Sequence, residues 1–143
     1  MKTTTLQIIT CLFLGASLPF LVISFFIFTF NPPNYPIFFA PWLEEGLKFL
    51  SALILIRFVF LTPALVPFLG IGFGVAENFG LYLQRGREAS IIPLGVHIAL
   101  GLIMACFFYL AQKSETLSLR NVFYMLAFLV PALLHFFWNF VVT

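Results

Sequence analysis

Five apolar runs, each about as long as a membrane-spanning helix, constrain the fold of this chain more than any other feature. A helix needs ~20 apolar residues to cross a bilayer. Runs this long and numerous do not fit inside one small soluble domain, and the mean hydropathy of +1.11 is far above that of soluble proteins. We therefore predict an all-α, polytopic membrane protein with about five transmembrane helices, over residues 6–30, 41–60, 63–84, 91–112 and 119–142.

Short polar breaks separate the runs and suggest the domain organisation. The break at residues 31–36 holds three prolines, which do not continue a helix. We predict that residues 1–36 form an N-terminal transmembrane helix and loop, and that residues 37–143 form a four-helix core. Pro41 suits the first turn of the second helix, where its missing N–H is no loss.

The basic residues beside the breaks predict the orientation and the surroundings. More of them lie on the side of the N-terminus, which favours a multi-pass protein of the cell membrane with its N-terminus inside. The lipid bilayer is the expected environment, and nucleic acid is not an expected partner because the net charge is only +2 and dispersed. The oligomeric state stays open. The basic residues on the inner side are Lys2, Arg57, Lys113 and Arg120, against Arg85 and Arg87 outside.

Ionisable side chains inside the predicted helices are the main functional signal. All five acidic residues of the chain are glutamate, and three of them lie in apolar runs. An ionisable group near the centre of a membrane helix costs about 2.5–3.5 kcal/mol on insertion scales, so several together require mutual pairing or a function. The intramembrane polar set comprises Glu44, Glu45, Lys48, Glu77, Asn78, His97, His135 and Asn139.

These polar residues are predicted to lie at one depth. With a rise of ~1.5 Å per residue and helices that alternate in direction, they fall within roughly 5–11 Å of the same membrane face. Polar groups from four helices at one level require an interior cavity that water can reach. We therefore expect a single site near one face of the membrane.

The spacing within helices suggests which polar groups interact. Glu44 and Lys48 are four residues apart and are expected to form an ion pair. Glu45 points about 100° away and is expected to stay outside that pair. His135 and Asn139 are also four apart, so an imidazole and an amide can converge on one oxygen atom.

Two glycines suggest a central position for the third helix. Gly70 and Gly74 share a face with Glu77, and small residues let a neighbouring helix approach closely. The third helix is therefore expected to lie in the middle of the bundle.

Taken together, four motifs resemble those of the PrsW family of intramembrane proteases, which is related to the CAAX prenyl proteases. The resemblance covers about residues 41–142, although the chain is shorter than typical members of that family. Glu77 stands where the CAAX proteases have histidine. The motifs are Glu44-Glu45-Gly46-Leu47-Lys48, Phe73 with Glu77-Asn78, His97, and His135 with Trp138-Asn139.

The resemblance implies hydrolysis of peptide bonds in membrane-anchored polypeptides by a four-helix catalytic core. One carboxylate of the Glu44 and Glu45 pair would activate water as a general base, helped by Glu77 or His97. The imidazole of His135 and the amide of Asn139 would stabilise the tetrahedral oxyanion. The implied catalytic residues are Glu44, Glu45, Glu77, His97, His135 and Asn139, with Lys48 and Asn78 in support.

The sequence leaves the cofactor undecided. Zinc is the candidate, because carboxylate and imidazole ligands are available, yet no HExxH motif is present. The candidate zinc ligands are Glu45, Glu77, His97 and His135.

Two other functions are compatible with intramembrane glutamate and histidine. The first alternative is a non-catalytic membrane scaffold, in which the polar residues stabilise helix packing or bind a partner. The second is an ion or proton-coupled transporter, although transporters generally use more helices and distribute polar groups across the bilayer.

Overall fold

The computed structural model describes residues 5–29, 39–58, 62–85 and 91–142, which form five α-helices and a short 3-10 turn. No strand occurs in these ranges. The predicted all-α fold is confirmed, and every predicted run matches one helix to within three residues at each end. The breaks expected at 31–36 and just after Arg85 lie outside the described residues. The helices are α1 (Thr5–Thr29), α2 (Ala40–Phe58), α3 (Val66–Arg85), α4 (Ile92–Lys113) and α5 (Leu117–Val142), and the 3-10 turn is Pro63–Leu65.

Three of the described helices are long and apolar enough to cross a membrane. The qualifying segments are Thr5–Val22 in α1, Ile92–Lys113 in α4 and Leu117–Val141 in α5. These segments support a membrane protein, as the sequence predicts. By length and composition, the described part of the chain therefore supports three spans rather than the five expected.

The close approach of α1 to α3 depends on two glycines. A Cβ atom on Gly15 would lie 2.2 Å from the carbonyl oxygen of Leu69, and one on Gly72 would lie 2.2 Å from the carbonyl oxygen of Leu12. Both neighbours are backbone atoms, so no side-chain rotation could relieve the overlap. Only glycine permits this approach of the two helices.

The second close contact joins α3 to α4 at His97. A Cβ atom on Gly70 would lie 2.3 Å from the carbonyl oxygen of His97, and one on Gly74 would lie 2.9 Å from Cα of Leu94. The predicted close approach at Gly70 and Gly74 is therefore confirmed. The α3 helix packs tightly against both α1 and α4, but α4 packs in the same way against α3 and α5, so the expected position of the third helix in the middle of the bundle is not confirmed.

The five helices form a ring in the order α1, α3, α4, α5, α2. The α2 helix closes the ring by packing against α5 and more sparsely against α1. One end of the interior is filled by apolar side chains, among them Leu69, Met104 and Phe108. A second apolar cluster, which includes Leu18 and Phe73, lies towards the other end, beside the polar residues.

The packing of α3 against α1 generates a stability prediction. We expect Gly72→Ala to lower the melting temperature strongly, because overpacking against backbone atoms costs about 1–3 kcal/mol or more. Gly80→Ala is the matched control on the same helix, since a Cβ there meets no atom within 4 Å, and it should be neutral or slightly stabilising. Thermal unfolding in detergent micelles measures both. Equal melting temperatures for the two variants would contradict the packing described for α1 and α3.

Candidate functional site

Six ionisable side chains from four helices meet inside the bundle, and we refer to them as the polar cluster. Glu45 is 0% exposed and His97 is 1% exposed. The side chain of Glu77 is the most accessible, at 34%. The structure thus brings together residues that are up to 91 positions apart, from Glu44 to His135. The polar cluster comprises Glu44, Glu45 and Lys48 of α2, Glu77 of α3, His97 of α4 and His135 of α5.

Lys48 lies at the centre of the polar cluster. Its ammonium group donates to Oε1 of Glu45 and lies 3.0 Å from Nδ1 of His97. It also lies 4.5 Å from the centroid of the Phe73 ring, on the ring face. The predicted pairing of Lys48 with Glu44 is therefore wrong. Both spacings allow a pair on a helix, and Lys48 turns towards Glu45 because that side also offers His97 and Phe73.

His97 connects Lys48 to α3. Its Nε2 atom lies 2.6 Å from Oε2 of Glu77, and its ring centroid lies 4.7 Å from that of Phe73. Both nitrogens of the imidazole therefore have polar partners, one on α2 and one on α3. His97 is held in place from two sides as well as by the glycine contacts of α3.

His135 extends the connected groups to α5. Its Nδ1 atom donates to Oε1 of Glu45 over 2.9 Å, and its ring packs edge-on against His97 with centroids 5.0 Å apart. Oε2 of Glu44 lies 3.8 Å from the same Nδ1 atom, which is too far for a hydrogen bond. An unbroken series of contacts therefore runs from Glu77 through His97, Lys48 and Glu45 to His135.

Three buried oxygen atoms in this region make no hydrogen bond with any residue that the structure describes. They are Oε2 of Glu44, Oε2 of Glu45 and Oδ1 of Asn78. A buried acceptor without a partner costs about 1–3 kcal/mol, and such atoms in native proteins commonly mark water or ligand positions. Oε2 of Glu44 is the most informative of the three, because it faces His135 and belongs to a carboxylate whose near neighbour Glu45 is already engaged.

The remaining predicted site residues lie next to the polar cluster. Asn78 follows Glu77 on α3, and Asn139 is half-buried one turn after His135 on α5. The expected convergence of His135 and Asn139 on one oxygen stays a prediction. Phe73 belongs to one of the four motifs but was given no role at the site, although its position four residues before Glu77 places both on one helix face.

The candidate zinc ligands can be tested against this geometry. Glu44, His97 and His135 offer ligand atoms that all lie within 4.8 Å of one another. However, Nδ1 of His97 faces the ammonium of Lys48, and its Nε2 is paired with Glu77. A divalent cation at this place would be repelled by the ammonium at short range, so the residues do not fit zinc as they are arranged.

The two expected carboxylate ligands are also engaged. Oε1 of Glu45 already accepts from Lys48 and His135, and Oε2 of Glu77 contacts His97. In the structure the expected zinc ligands Glu45, Glu77, His97 and His135 are paired with Lys48 or with one another.

Comparisons with known proteins give no match, whether with protein-family models, with curated proteins or with solved structures. The resemblance to the PrsW family therefore rests on the four motifs themselves. In the structure those motifs supply every member of the polar cluster.

The contact between Lys48 and Glu45 generates a second stability prediction. Removing one member of a buried ion pair leaves an uncompensated charge and costs about 3–5 kcal/mol. We expect Lys48→Met and Glu45→Gln each to destabilise the protein by about that amount, and the double variant to be more stable than the sum of the two losses implies. Chemical denaturation in mixed micelles gives the four free energies of unfolding. Strictly additive losses would show that the two side chains do not interact.

Proposed function

We propose that this chain is an intramembrane endopeptidase that hydrolyses peptide bonds of membrane-anchored polypeptides, as its resemblance to the PrsW family implies. The observation that carries this proposal is the unpartnered Oε2 atom of Glu44, buried beside His135 within a cluster built by four helices. Hydrolysis at membrane depth requires a polar cavity that admits water and a base that takes a proton from it.

The engagement of Glu45 favours Glu44 as that base. Glu45 is held by Lys48 and His135 and is fully buried, so it stabilises the arrangement. Glu44 has a carboxylate oxygen free to accept a proton from water. The water oxygen would attack the peptide carbonyl carbon, and the proton on Glu44 would pass to the leaving amine as the C–N bond breaks.

Asn139 and His135 are assigned to the oxygen of the tetrahedral intermediate. The amide of Asn139 can donate to it directly, whereas His135, whose Nδ1–H is already donated to Glu45, can donate only through Nε2–H of a doubly protonated ring. The hydrogen bond to Glu45 fixes the ring of His135 next to Glu44, and Asn139 lies one turn further along α5. Donors placed in advance around a developing oxyanion are commonly worth 10²–10³-fold in rate, about 2.7–4 kcal/mol.

We also propose that α2 and α3 cross the membrane, which gives five spans and a multi-pass protein of the cell membrane. Their 19 and 20 residues correspond to roughly 28–30 Å of helix. The glutamates and the lysine of α2 that interrupt its apolar sequence are buried in the bundle. Large apolar side chains on the outer faces of the two helices, including Leu50, Ile54, Phe79 and Leu83, are exposed, as lipid-facing residues are.

A non-catalytic scaffold is the second candidate function. The observation that favours it is the extent of pairing within the polar cluster, since Glu45, Lys48 and His97 all have partners. Such a network could serve to hold α2 against the other helices.

Cleavage of single-span reporter polypeptides by the purified protein in nanodiscs distinguishes an endopeptidase from a scaffold. We expect Glu44→Gln to reduce the cleavage rate by about 10²–10⁴-fold, the range for loss of a general base. Glu115→Gln is the matched control, because Glu115 is exposed in the connection between α4 and α5, and it should cleave like wild type. Excess chelator should leave the wild-type rate unchanged, because Lys48 occupies the cationic position. Equal rates for wild type and Glu44→Gln, or no product from either, would contradict the proposed enzyme.

The five-span arrangement has its own test in cysteine labelling of intact cells. With Cys11 and Cys106 replaced, single cysteines are placed at Thr62, Ile91 and Glu115, which are exposed positions between helices. Five spans predict that Thr62→Cys and Glu115→Cys are labelled from one side and Ile91→Cys from the other. If only α1, α4 and α5 cross, Thr62→Cys will be labelled together with Ile91→Cys, which would overturn the proposed topology.

A further inference from the structure

The contacts of the Lys48 ammonium group account for all of its hydrogen atoms. An ammonium has three N–H donors and no lone pair. One donor points to Oε1 of Glu45, one to Nδ1 of His97 at 3.0 Å, and the third side faces the ring of Phe73 at 4.5 Å from its centroid. Lys48 is 2% exposed, so these protein groups stand in for its hydration shell.

These contacts of Lys48 fit only one of the three protonation forms of the His97 ring. Because an ammonium cannot accept a hydrogen bond, Nδ1 of His97 must be the acceptor, and the ring proton must lie on Nε2. Nε2 then donates to Oε2 of Glu77, 2.6 Å away. The other tautomer would place two donors face to face at Nδ1 and a lone pair against a carboxylate at Nε2. The doubly protonated ring would keep the clash at Nδ1.

We propose that Lys48 is a positioning residue that locks His97 in its Nε2–H tautomer and keeps both ring nitrogens of His97 from binding a divalent metal. Lys48 thereby supplies the positive charge that a metal ion would otherwise bring to a Glu and His cluster of this kind. We call this fixed tautomer of His97 the lock. Burial maintains it, since His97 is 1% exposed and water cannot replace a missing hydrogen-bond partner.

The lock also orients Glu77. Its carboxylate is the most accessible one in the polar cluster, with a side chain that is 34% exposed, and its partner in the structure is Nε2 of His97. A histidine held in one tautomer therefore sets the direction of a carboxylate at the edge of the site. That this direction matters for peptide hydrolysis rests on the proposed function, whereas the lock itself rests on the contacts of Lys48.

Nitrogen-15 NMR of histidine-labelled protein in nanodiscs tests the lock directly. The chain has only two histidines, and a His135→Asn variant assigns the signals of His97. In wild type we expect Nδ1 of His97 to resonate as an unprotonated nitrogen and Nε2 as a protonated one, with no change when zinc is added. In Lys48→Met we expect the two signals to move towards those of a mixture of tautomers, and to shift further with zinc.

The matched controls are Lys113→Met and Lys48→Arg. Lys113 lies over the ring of Tyr109 at the far end of α4, so its loss should leave both signals unchanged. Lys48→Arg keeps a cationic donor and should retain the wild-type tautomer.

Three results would overturn the proposal: a protonated Nδ1 in wild type, a zinc-induced shift in wild type, or a Lys48→Met spectrum identical to that of wild type. Even if Lys48→Met fails to fold, the wild-type spectrum alone shows whether Nδ1 of His97 is unprotonated and whether zinc shifts its signal. Because none of these signals depends on cleavage, an inactive protein with the expected spectrum would overturn the proposed function and leave the lock in place.

Discussion

The buried ammonium of Lys48 is the interaction on which the rest of the site depends. A buried lysine is tolerated when its donors are satisfied by protein groups, and here one carboxylate, one imidazole and one aromatic ring do so. These partners come from α2, α3 and α4, so satisfying one charge requires three helices to meet at one level. Glu45 then connects the same charge to His135 on α5. Satisfying the charges of the polar cluster therefore requires α2, α3, α4 and α5 to pack together.

The glycines of α3 make this meeting geometrically feasible. Gly72 lets α1 contact one side of α3, and Gly70 and Gly74 let the backbone of α4 contact the other. Without hydrophobic attraction between helices in lipid, such close packing is a main source of helix association. The close packing of α4 against α3 also brings Nε2 of His97 within hydrogen-bond distance of Glu77. The apolar interior between Leu69 and Phe108 closes the opposite end of the bundle, so polar groups are confined to one end.

Much of the fold could be predicted from the sequence because the long apolar runs and the short polar breaks between them indicate each helix. The members of the polar cluster could also be named, since charged residues in apolar helices stand out and their positions along the helices agree. The partner of Lys48 could not be predicted. Positions 44 and 45 are both within reach on a helix, and the choice depends on His97 and Phe73, which only tertiary packing brings near. The same ammonium makes His97 unsuitable as a zinc ligand, which residue type alone does not reveal.

We propose that the polar cluster directs a water molecule to a peptide bond, with Glu44 taking its proton. Single-turnover cleavage of a reporter polypeptide in ¹⁸O-labelled water, followed by mass spectrometry of the new C-terminus, tests this most directly. We expect one labelled oxygen in the new carboxyl group of the product made by wild type, and no such product from Glu44→Gln. A reporter that stays intact with wild type in excess, or a labelled product formed equally by both proteins, would contradict it.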